Sequence, residues 1–430
     1  MNKSNNKKAW IISVDMGYGH QRAAYPFKEI AFERIITANS DKIVSLKEHR
    51  LWEQSREFYE FISRLKNIPL IGKIAFGIYD TSQKISPFFP FKDLSKPNFY
   101  VLRLKALIKR GLCKSIVEYT SKENMPVITT HFIPAMAFNY NNKKVYCVVT
   151  DTDINRIWVP DKPKNSTITY LSPCRHVTKR LLQYGVNPEK IIETGFPLPK
   201  ENIGKNKKIV KKDLINRLIN LDPNGVFLKK YETLIREKID KNFSYKKTKR
   251  NLNHPLTLMF TIGGAGAQYE IADKIINSLK NKILQKELKL IISVGTKLDL
   301  KMYFDKRTKH FGEMCEIIFA LDKKTYFENF NRSLRTTDIL WSKPSEMSFY
   351  TALGIPIIIA PPIGAHEESN KEWLEHIGSG FVQKNPEHVN EWLFYWLEDG
   401  RLADAAFQGF MDAPLMGTYN IEDVVFKKFK

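Results

Sequence analysis

The chain has 430 residues, of which 43% are hydrophobic, and Lys and Arg outnumber Asp and Glu by 68 to 46, for a net charge of +22. This length predicts two or three domains of about 150 residues each, and the apolar content is enough for packed cores. No apolar run reaches the roughly 18 residues that a membrane span needs, the N-terminal residues do not fit a signal peptide, and the scattered cysteines indicate reduced thiols in a cytoplasmic protein.

The positive charge is compatible with three classes of partner, namely nucleic acid, an anionic membrane surface and acidic substrates. A compositional bias toward Asn, Lys and Ile explains the same excess without any partner. The charge therefore does not choose among these classes.

In chain order, a buried strand is predicted at residues 10–14. It is followed by Gly17, Gly19 and His20, and a helix is predicted to begin near Gln21. Glycine allows a tight turn and a close approach of the backbone to a ligand. An imidazole, with a usual pKa of about 6.5, can accept a hydroxyl proton at neutral pH. A glycine-rich turn alone is a weak signal, and a histidine at a helix start also serves as a cap.

Residues 48–118 combine a helical pattern with many aromatic and basic side chains. Such a combination suits a lipid headgroup surface, where each cation contributes about 1 kcal/mol to the free energy of binding to an anionic membrane. An ordinary amphipathic helix pair explains most of these residues at least as well. Residues 88–91, which include three phenylalanines, are the best candidate for contact with a membrane or an acyl chain.

Two further strands are predicted at residues 127–130 and 144–150, with His131 after the first and Asp151 after the second. Asp151 could orient His20 or hold an acceptor hydroxyl, or it could cap the following turn. A histidine in the position of His131 is often structural. A strand at 167–171 precedes a basic helix at 173–184, for which Ser172 is the predicted N-cap.

The second half of the chain opens with a lysine-rich stretch at residues 200–254, where the leucine spacing predicts an inserted helical subdomain. Nucleic acid is a second candidate partner for this stretch, although no nucleic-acid-binding motif is present. A strand at 256–262 leads into Gly263, Gly264 and Gly266, whose amides can face a diphosphate. Strands are then predicted at 288–295 and 317–321.

The most informative stretch is residues 337–381. A strand at 339–341 ends at Lys343-Pro344-Ser345, where Pro344 disfavours helix before it and Ser345 is predicted to cap a short helix. A strand at 357–360 is followed by a predicted polar loop at 366–370. Ligands bind at this end of the strands in open α/β sheets. A helix start suits a phosphate, and the carboxylates and amide of the loop suit sugar hydroxyls.

These motifs resemble the donor-binding signature of GT-B glycosyltransferases. The similarity is greatest to the monogalactosyldiacylglycerol synthase and processive diacylglycerol glucosyltransferase group, and the peptidoglycan N-acetylglucosaminyltransferase is more distant. The chain keeps the group's Lys-Pro at 343–344, its Gly-x-Pro at 354–356 and its Glu-Glu-x-Asn at 367–370. Residues 17–24 and 148–151 are similar to its first glycine-rich loop and its Val-x-Thr-Asp segment. Ser345-Glu346 replaces the group's Gly-Gly.

The resemblance implies a GT-B-like α/β fold with two Rossmann-like domains facing a cleft. It implies His20 and Asp151 as catalytic residues, with His20 as the general base, and Gly17, Gly19 and His131 on the acceptor side. The donor-binding residues that it implies are Gly263, Gly264, Gly266, Phe319, Ala320, Leu321, Lys343, Ser345, Glu346, Met347, Glu367, Glu368 and Asn370. We expect no metal site and no cofactor besides a nucleotide-sugar as co-substrate.

The expected domains are an acceptor-side domain at 1–199, the Lys-rich helical insertion at 200–254, a nucleotide-sugar-binding domain at 255–404, and a C-terminal segment at 405–430 that crosses back to the first domain. The expected activity is transfer of a sugar from a nucleotide-sugar, UDP-linked by the resemblance, to a hydroxyl of a membrane lipid. A location at the inner face of the membrane would fit it. The alternatives are a GT-B nucleotide-sugar epimerase or hydrolase and a non-catalytic basic binding protein.

Overall fold

A computed structural model describes residues 7–54, 85–245, 254–263, 268–362 and 365–428. The chain forms two compact units, one of residues 1–197 and 416–430 and the other of residues 198–415. Each unit contains a parallel sheet of six strands, which confirms the predicted α/β class with two Rossmann-like halves.

The sheet of the first unit has the order β2-β1-β3-β4-β5-β6. Its strands are β1 (Ala9–Ser13), β2 (Ala31–Thr37), β3 (Val127–Thr129), β4 (Val145–Val148), β5 (Ile168–Ser172) and β6 (Ile191–Glu193). The helices bounded within its described residues are α1 (Gly19–Ala24), α2 (Phe99–Lys109), α3 (Lys114–Thr120), α4 (Phe132–Tyr140), α5 (Arg175–Gln183) and, from the end of the chain, α15 (Gly417–Lys428), with 3₁₀ turns at Tyr25–Phe27, Arg156–Trp158, Pro163–Asn165 and Pro188–Lys190.

The central strand β1 is buried along its whole length, as expected for a parallel sheet that helices cover on both faces. Trp10 and Ile12 belong to the core on one face, and Ala9 and Ile11 belong to the core on the other, to which α15 contributes Ile421. β2 pairs with one edge of β1 and β3 with the other. The carboxyl ends of β1 and β3 therefore form a topological switch point, where ligands bind in open α/β sheets.

The sheet of the second unit has the order β12-β11-β10-β7-β8-β9. Its strands are β7 (Thr257–Thr261), β8 (Lys289–Gly295), β9 (Cys315–Phe319), β10 (Ile339–Ser342), β11 (Ile357–Ile359) and β12 (Gly380–Val382). Its described helices are α6 (Lys200–Ile203), α7 (Lys208–Asn220), α8 (Val226–Lys238), α9 (Tyr269–Leu284), α10 (Leu298–Thr308), α11 (Lys323–Ser333), α12 (Ala365–His376), α13 (Val389–Glu398) and α14 (Arg401–Asp412), with 3₁₀ helices at Lys205–Lys207, Lys309–Met314, Glu346–Leu353 and Pro386–His388.

This strand order is that of the dinucleotide-binding fold. The first strand, β7, is central, with β8 and β9 on one side of it and β10, β11 and β12 on the other. The switch point lies between β7 and β10, whose buried side chains Phe260 and Trp341 meet edge to face at 5.9 Å. The described part of the predicted insertion packs into the same core, to which α7 contributes Leu214 and α8 contributes Leu228. These two helices are thus part of the second unit.

Three strands, β2, β6 and β12, were absent from the prediction, and all three are edge strands. β2 is only partly buried along its length, and β6 and β12 have three residues each. An edge strand is covered on fewer sides than a central strand, so it lacks the continuous apolar run that reveals a buried strand in a sequence.

Two predicted boundaries were wrong. The helix predicted at 173–184 begins at Arg175, and its N-cap is Cys174, without a side-chain capping bond. Ser172 instead ends β5, and its hydroxyl donates to the carbonyl of Cys174 at 2.8 Å. The strand predicted at 317–321 begins at Cys315 and ends at Phe319, so that the following residues lie beyond the sheet.

Candidate functional site

The first candidate site lies at the switch point where β1 and β3 end. Two hydrogen bonds tie the loop after β1 to Asn39. The amide of Asp15 donates to Oδ1 of Asn39 at 2.8 Å, and Nδ2 of Asn39 donates to the carbonyl of Asp15 at 3.0 Å. Gly17 has φ of +89°, a conformation that glycine adopts without strain. A Cβ at this position would meet no atom within 4 Å, so the need for glycine is conformational. Gly19 then opens α1.

His20 and Thr130 form two hydrogen bonds with each other. Its Nδ1 lies 2.7 Å from the carbonyl oxygen of Thr130, and the Thr130 hydroxyl donates to the carbonyl of His20 at 2.7 Å. The hydroxyl of Thr150 lies 3.4 Å from the same Nδ1. Since a carbonyl oxygen only accepts hydrogen bonds, Nδ1 carries the hydrogen of the neutral ring and Nε2 carries the lone pair. This tautomer is the one in which His20 takes up a proton at Nε2, as a general base does.

His131 lies against His20. The two rings meet edge to face, with centroids 4.5 Å apart and planes at 83°. His131 is the N-cap of α4, where its Nδ1 accepts a hydrogen bond from the amide of Ile133 at 3.1 Å. The side chain is buried, and this burial, together with the charge of nearby His20, lowers the pKa of His131 well below its usual value. The site thus holds a neutral imidazole, that of His131, against the ring of His20.

Asp151 follows β4 and is half-buried. Nδ1 of His20 is oriented by the Thr130 carbonyl, and a role for Asp151 beside it stays a prediction. Asp153, which the sequence did not single out, forms a buried ion pair instead. It accepts two bonds of 2.8 Å from Arg180 and one of 2.9 Å from Nε2 of His176. Although burial of Asp153 opposes ionisation, these bonds hold its pKa below the usual value.

The segment at residues 88–91 lies against α5. The ring of Phe88 stacks on His176 with centroids 4.2 Å apart, and the Arg180 guanidinium lies 5.0 Å from the Phe88 centroid. Phe89 and Phe91, by contrast, are 67% and 61% exposed. One ring thus anchors the segment while two point outward. The helical pattern predicted between residues 55 and 84 lies outside the described residues.

The second candidate site lies at the switch point of the other sheet. Nζ of Lys343, in the loop after β10, is 2.5 Å from Oε1 of Glu367 in α12. The Glu367 side chain is 3% exposed and that of Lys343 is 25% exposed. A Cβ on Gly263, which follows β7, would lie 3.2 Å from Cε of Lys343. Gly263, Lys343 and Glu367 therefore lie together, and glycine leaves room for the lysine side chain.

Residues 366–370 belong to helix α12, so the polar loop predicted there was wrong. The helix places Glu367 and Asn370 on one face, since they are three residues apart. Nδ2 of the buried Asn370 donates to the carbonyl of Pro344 at 3.2 Å. Glu368 instead pairs with Lys371 at 2.7 Å. Glu367 and Asn370 thus hold the 343–344 corner in place, and contacts of all three residues with a sugar stay a prediction.

The helix after Ser345 is a 3₁₀ helix, and Ser345 makes no side-chain capping bond. Ser345 is the N-cap residue, as predicted, and its carbonyl accepts from the amide of Ser348 at 2.9 Å, an i to i+3 bond that starts the helix. Met347 is buried and Glu346 is half-buried. The donor-binding roles of these three residues stay predictions.

The predicted base-pocket residues follow one another at the end of β9. Phe319 is its last residue, the amide of Ala320 donates to the carbonyl of Gly295 at 3.2 Å, and Leu321 is 81% exposed. Gly264 and Gly266 lie outside the described residues. Within the described ranges, no three His, Cys, Asp or Glu side chains are grouped as metal ligands, and none of the described helices is long and apolar enough to cross a membrane.

Sequence reasoning missed Thr130 and Thr150 as partners of His20. Both precede residues that it did select, His131 and Asp151. The Thr130 contact uses a backbone carbonyl, which every residue carries, so no side-chain type in the sequence could have pointed to it.

Comparison with known proteins confirms the resemblance to the processive diacylglycerol glucosyltransferase group. The chain is 21% identical to a processive diacylglycerol beta-glucosyltransferase of Bacillus pumilus over 436 aligned residues, and the alignment covers 98% of this chain and 95% of that protein. The protein of the same name from Bacillus subtilis is 21% identical over 412 residues, covering 90% and 86%. At a general level, these relatives support a transferase.

A family model described as a domain of unknown function (DUF6938) matches residues 231–332. Among solved structures, MurG of Acinetobacter baumannii has a TM-score of 0.49 at 12% identity and covers 98% of this chain and 99% of that chain. The UDP-GlcNAc 2-epimerase of Neisseria meningitidis bound to UDP-GlcNAc has a TM-score of 0.43 at 12% identity, with 78% and 83% covered.

Proposed function

We propose that this protein is a glycosyltransferase that moves a sugar from a UDP-linked donor to a hydroxyl of a membrane lipid. The observation that carries the proposal is the polar cluster at each switch point, one built on His20 and one on Lys343. Sugar transfer needs a base for the acceptor proton and positive charge for the leaving diphosphate. The near full-length similarity to processive diacylglycerol beta-glucosyltransferases supports the same activity class.

In the proposed step, Nε2 of His20 takes the proton of the acceptor hydroxyl. The hydroxyl oxygen bonds to the anomeric carbon of the sugar, and the bond between that carbon and the diphosphate oxygen breaks. The electron pair leaves with the nucleoside diphosphate. The Thr130 carbonyl at Nδ1 supports this role, because it stabilises the imidazolium that forms as His20 is protonated.

On the donor side, Lys343 is the proposed diphosphate ligand. Its ammonium group lies beside the turn that follows β7, at the end of the sheet where open α/β proteins bind phosphates. Glu367 both holds this lysine and offers a carboxylate to sugar hydroxyls. The donor would add further negative charge beside Lys343, so the lysine would be shared between Glu367 and a phosphate oxygen.

A lipid acceptor is supported by the segment at residues 88–91. Its rings Phe89 and Phe91 are exposed beside α5, where Arg175 and Lys179 are exposed as well. Exposed aromatic rings next to cations fit the boundary between anionic headgroups and acyl chains. We therefore include an anionic membrane surface among the proposed partners.

The test is a transfer assay with the full-length protein, radiolabelled UDP-sugars, and vesicles that contain diacylglycerol and an anionic phospholipid. We expect label in the lipid fraction, and we expect the matching UDP-sugar to raise the melting temperature, since a ligand of the folded state stabilises it. Vesicles without diacylglycerol are the control.

Three results would overturn the proposal in different ways. Conversion of the UDP-sugar without any lipid would indicate an epimerase or hydrolase. Binding of nucleic acid that weakens steeply with salt, with no binding of UDP-sugars, would indicate a basic binding protein. Neither transfer nor a thermal shift with any UDP-sugar would exclude a glycosyltransferase of this donor class.

A further inference from the structure

His131 caps helix α4 with an imidazole ring. Its Nδ1 accepts the amide of Ile133 at 3.1 Å, so the hydrogen of the neutral ring is on Nε2. Asn, Asp, Ser or Thr would supply the same cap with a smaller side chain. Capping therefore does not explain why this position carries an imidazole.

The ring of His131 is held by aromatic neighbours. It stacks on Phe132 with centroids 4.3 Å apart and planes at 25°, and the centroid of the Trp158 ring lies 6.3 Å from that of His131. The His131 side chain is only 3% exposed. Its ring is therefore a fixed surface, and it is against this surface that His20 rests edge to face at 4.5 Å.

The charge of His131 matters because His20 becomes a cation when it accepts a proton. Two imidazolium rings at this separation would repel each other. The other contacts of the His131 side chain, with Phe132, Trp158 and the Ile133 amide, carry no charge. Burial and the proximity of His20 lower the pKa of His131 well below its usual value, which favours a neutral His131 beside a protonated His20.

We propose that His131 is a positioning residue for His20. Its neutral ring holds the imidazole of His20 at the angle where Nδ1 keeps its bond to the Thr130 carbonyl and Nε2 keeps the lone pair. Thr130 and His131, which are adjacent in the chain, thus fix both the tautomer and the plane of one base. The part of this inference that concerns transfer rests on the proposed function, whereas the part that concerns the state of His20 does not.

The first test measures that state directly by NMR of the full-length protein labelled with ¹⁵N-histidine, with the His20 signals assigned by their loss in His20→Gln. In the unmodified protein we expect one neutral tautomer, with the hydrogen on Nδ1. His131→Asn keeps an oxygen for the cap but removes the ring. We expect it to leave His20 in a mixture of tautomers, because water replaces the ring that holds the imidazole of His20.

His131→Phe is the matched variant, since it keeps a ring against His20 but loses the cap. We expect it to lower the melting temperature more than His131→Asn does, while the Nδ1 hydrogen of His20 is retained. If His131→Asn leaves the tautomer of His20 unchanged, His131 is a helix cap and nothing more.

The second test is kinetic. We expect His131→Asn to lower kcat by roughly 10- to 100-fold, as a misplaced catalytic group does, with the KM for the UDP-sugar unchanged. His131→Phe should lose less activity. If the unmodified protein transfers no sugar, the proposed function fails while the NMR result still decides the role of His131. If it transfers sugar and His131→Asn matches it in kcat, the inference fails alone.

Discussion

The Lys343→Met substitution should both destabilise the protein and weaken donor binding. The Glu367 side chain is 3% exposed, and its carboxylate lies 2.5 Å from the Lys343 ammonium. Removal of one partner from a buried ion pair costs about 3–5 kcal/mol, because the other charge stays buried without compensation. Lys343 itself is 25% exposed, so water already compensates part of its charge, and we expect the low end of that range, about 3 kcal/mol.

The effect on the donor follows from the proposed contact between Lys343 and the diphosphate. A hydrogen bond to a charged group contributes about 1.5–3 kcal/mol, which corresponds to a dissociation constant about 10- to 150-fold higher. Isothermal titration of the full-length protein with UDP and UDP-sugars measures this constant, and urea unfolding measures the change in stability.

A second substitution separates the two effects. In the double variant Lys343→Met with Glu367→Gln, no charge remains buried, so we expect stability to recover most of the loss, while donor affinity stays low. Lys371→Met is the control on the same helix. Lys371 pairs with Glu368, whose side chain is 46% exposed, and such surface pairs contribute about 0–1 kcal/mol, so both measurements should barely change.

Two results would refute the reasoning. A double variant that binds UDP-sugars as tightly as the unmodified protein would mean that Lys343 does not contact the diphosphate. A Lys343→Met variant that unfolds at the same urea concentration as the unmodified protein would mean that its bond to Glu367 does not stabilise the unit.

Three further predictions concern the first unit. His20→Ala should lower kcat by about 10²- to 10⁴-fold, the usual contribution of a general base, with donor affinity unchanged by titration; full turnover in this variant would remove His20 as the base. Phe89→Ser with Phe91→Ser should reduce co-sedimentation with anionic vesicles, since each buried ring contributes up to about 1.5–3 kcal/mol, and unaltered sedimentation would contradict the membrane surface. Asp153 has a pKa below its usual value in the folded protein, so its ionised form stabilises the fold above about pH 3.9, and this stabilisation is lost as the pH falls through the folded pKa. The melting temperature should therefore fall less between pH 5 and pH 2 for Asp153→Asn than for the unmodified protein, although the variant is less stable at neutral pH.

The central strands were predictable because their residues are buried on both faces. The residues of β1, β7 and β10 form short apolar runs, and such runs mark the interior of a parallel sheet. The edge strands β2, β6 and β12 lack this signal. The helix class after Ser345 was also unpredictable, because the burial of residues 347–353 leaves no polar stripe from which to read a helical period.

For the candidate sites, the sequence identified residues but not their partners. Gly263, Lys343 and Glu367 were predicted to share a site, and they lie together. The bond from Lys343 to Glu367 was not predicted. The two residues are 24 positions apart in the sequence, and their contact depends on how the loop after β10 packs against α12. The tautomer of His20 depends on a backbone carbonyl, which has no signature in the sequence.

The return of α15 to the first unit has a consequence for biosynthesis. Its Ile421 and Val425 complete the core on one face of the first sheet, and a Cβ at Gly417 would lie 2.0 Å from the carbonyl oxygen of Phe196, so the helix can begin there only with glycine. During translation, residues 198–415 leave the ribosome before this helix does. The first unit, most of which is synthesised first, can therefore complete its core only after the second unit has been synthesised. In a nascent chain arrested before Gly417, we expect the first unit to be sensitive to protease and the second unit to resist it.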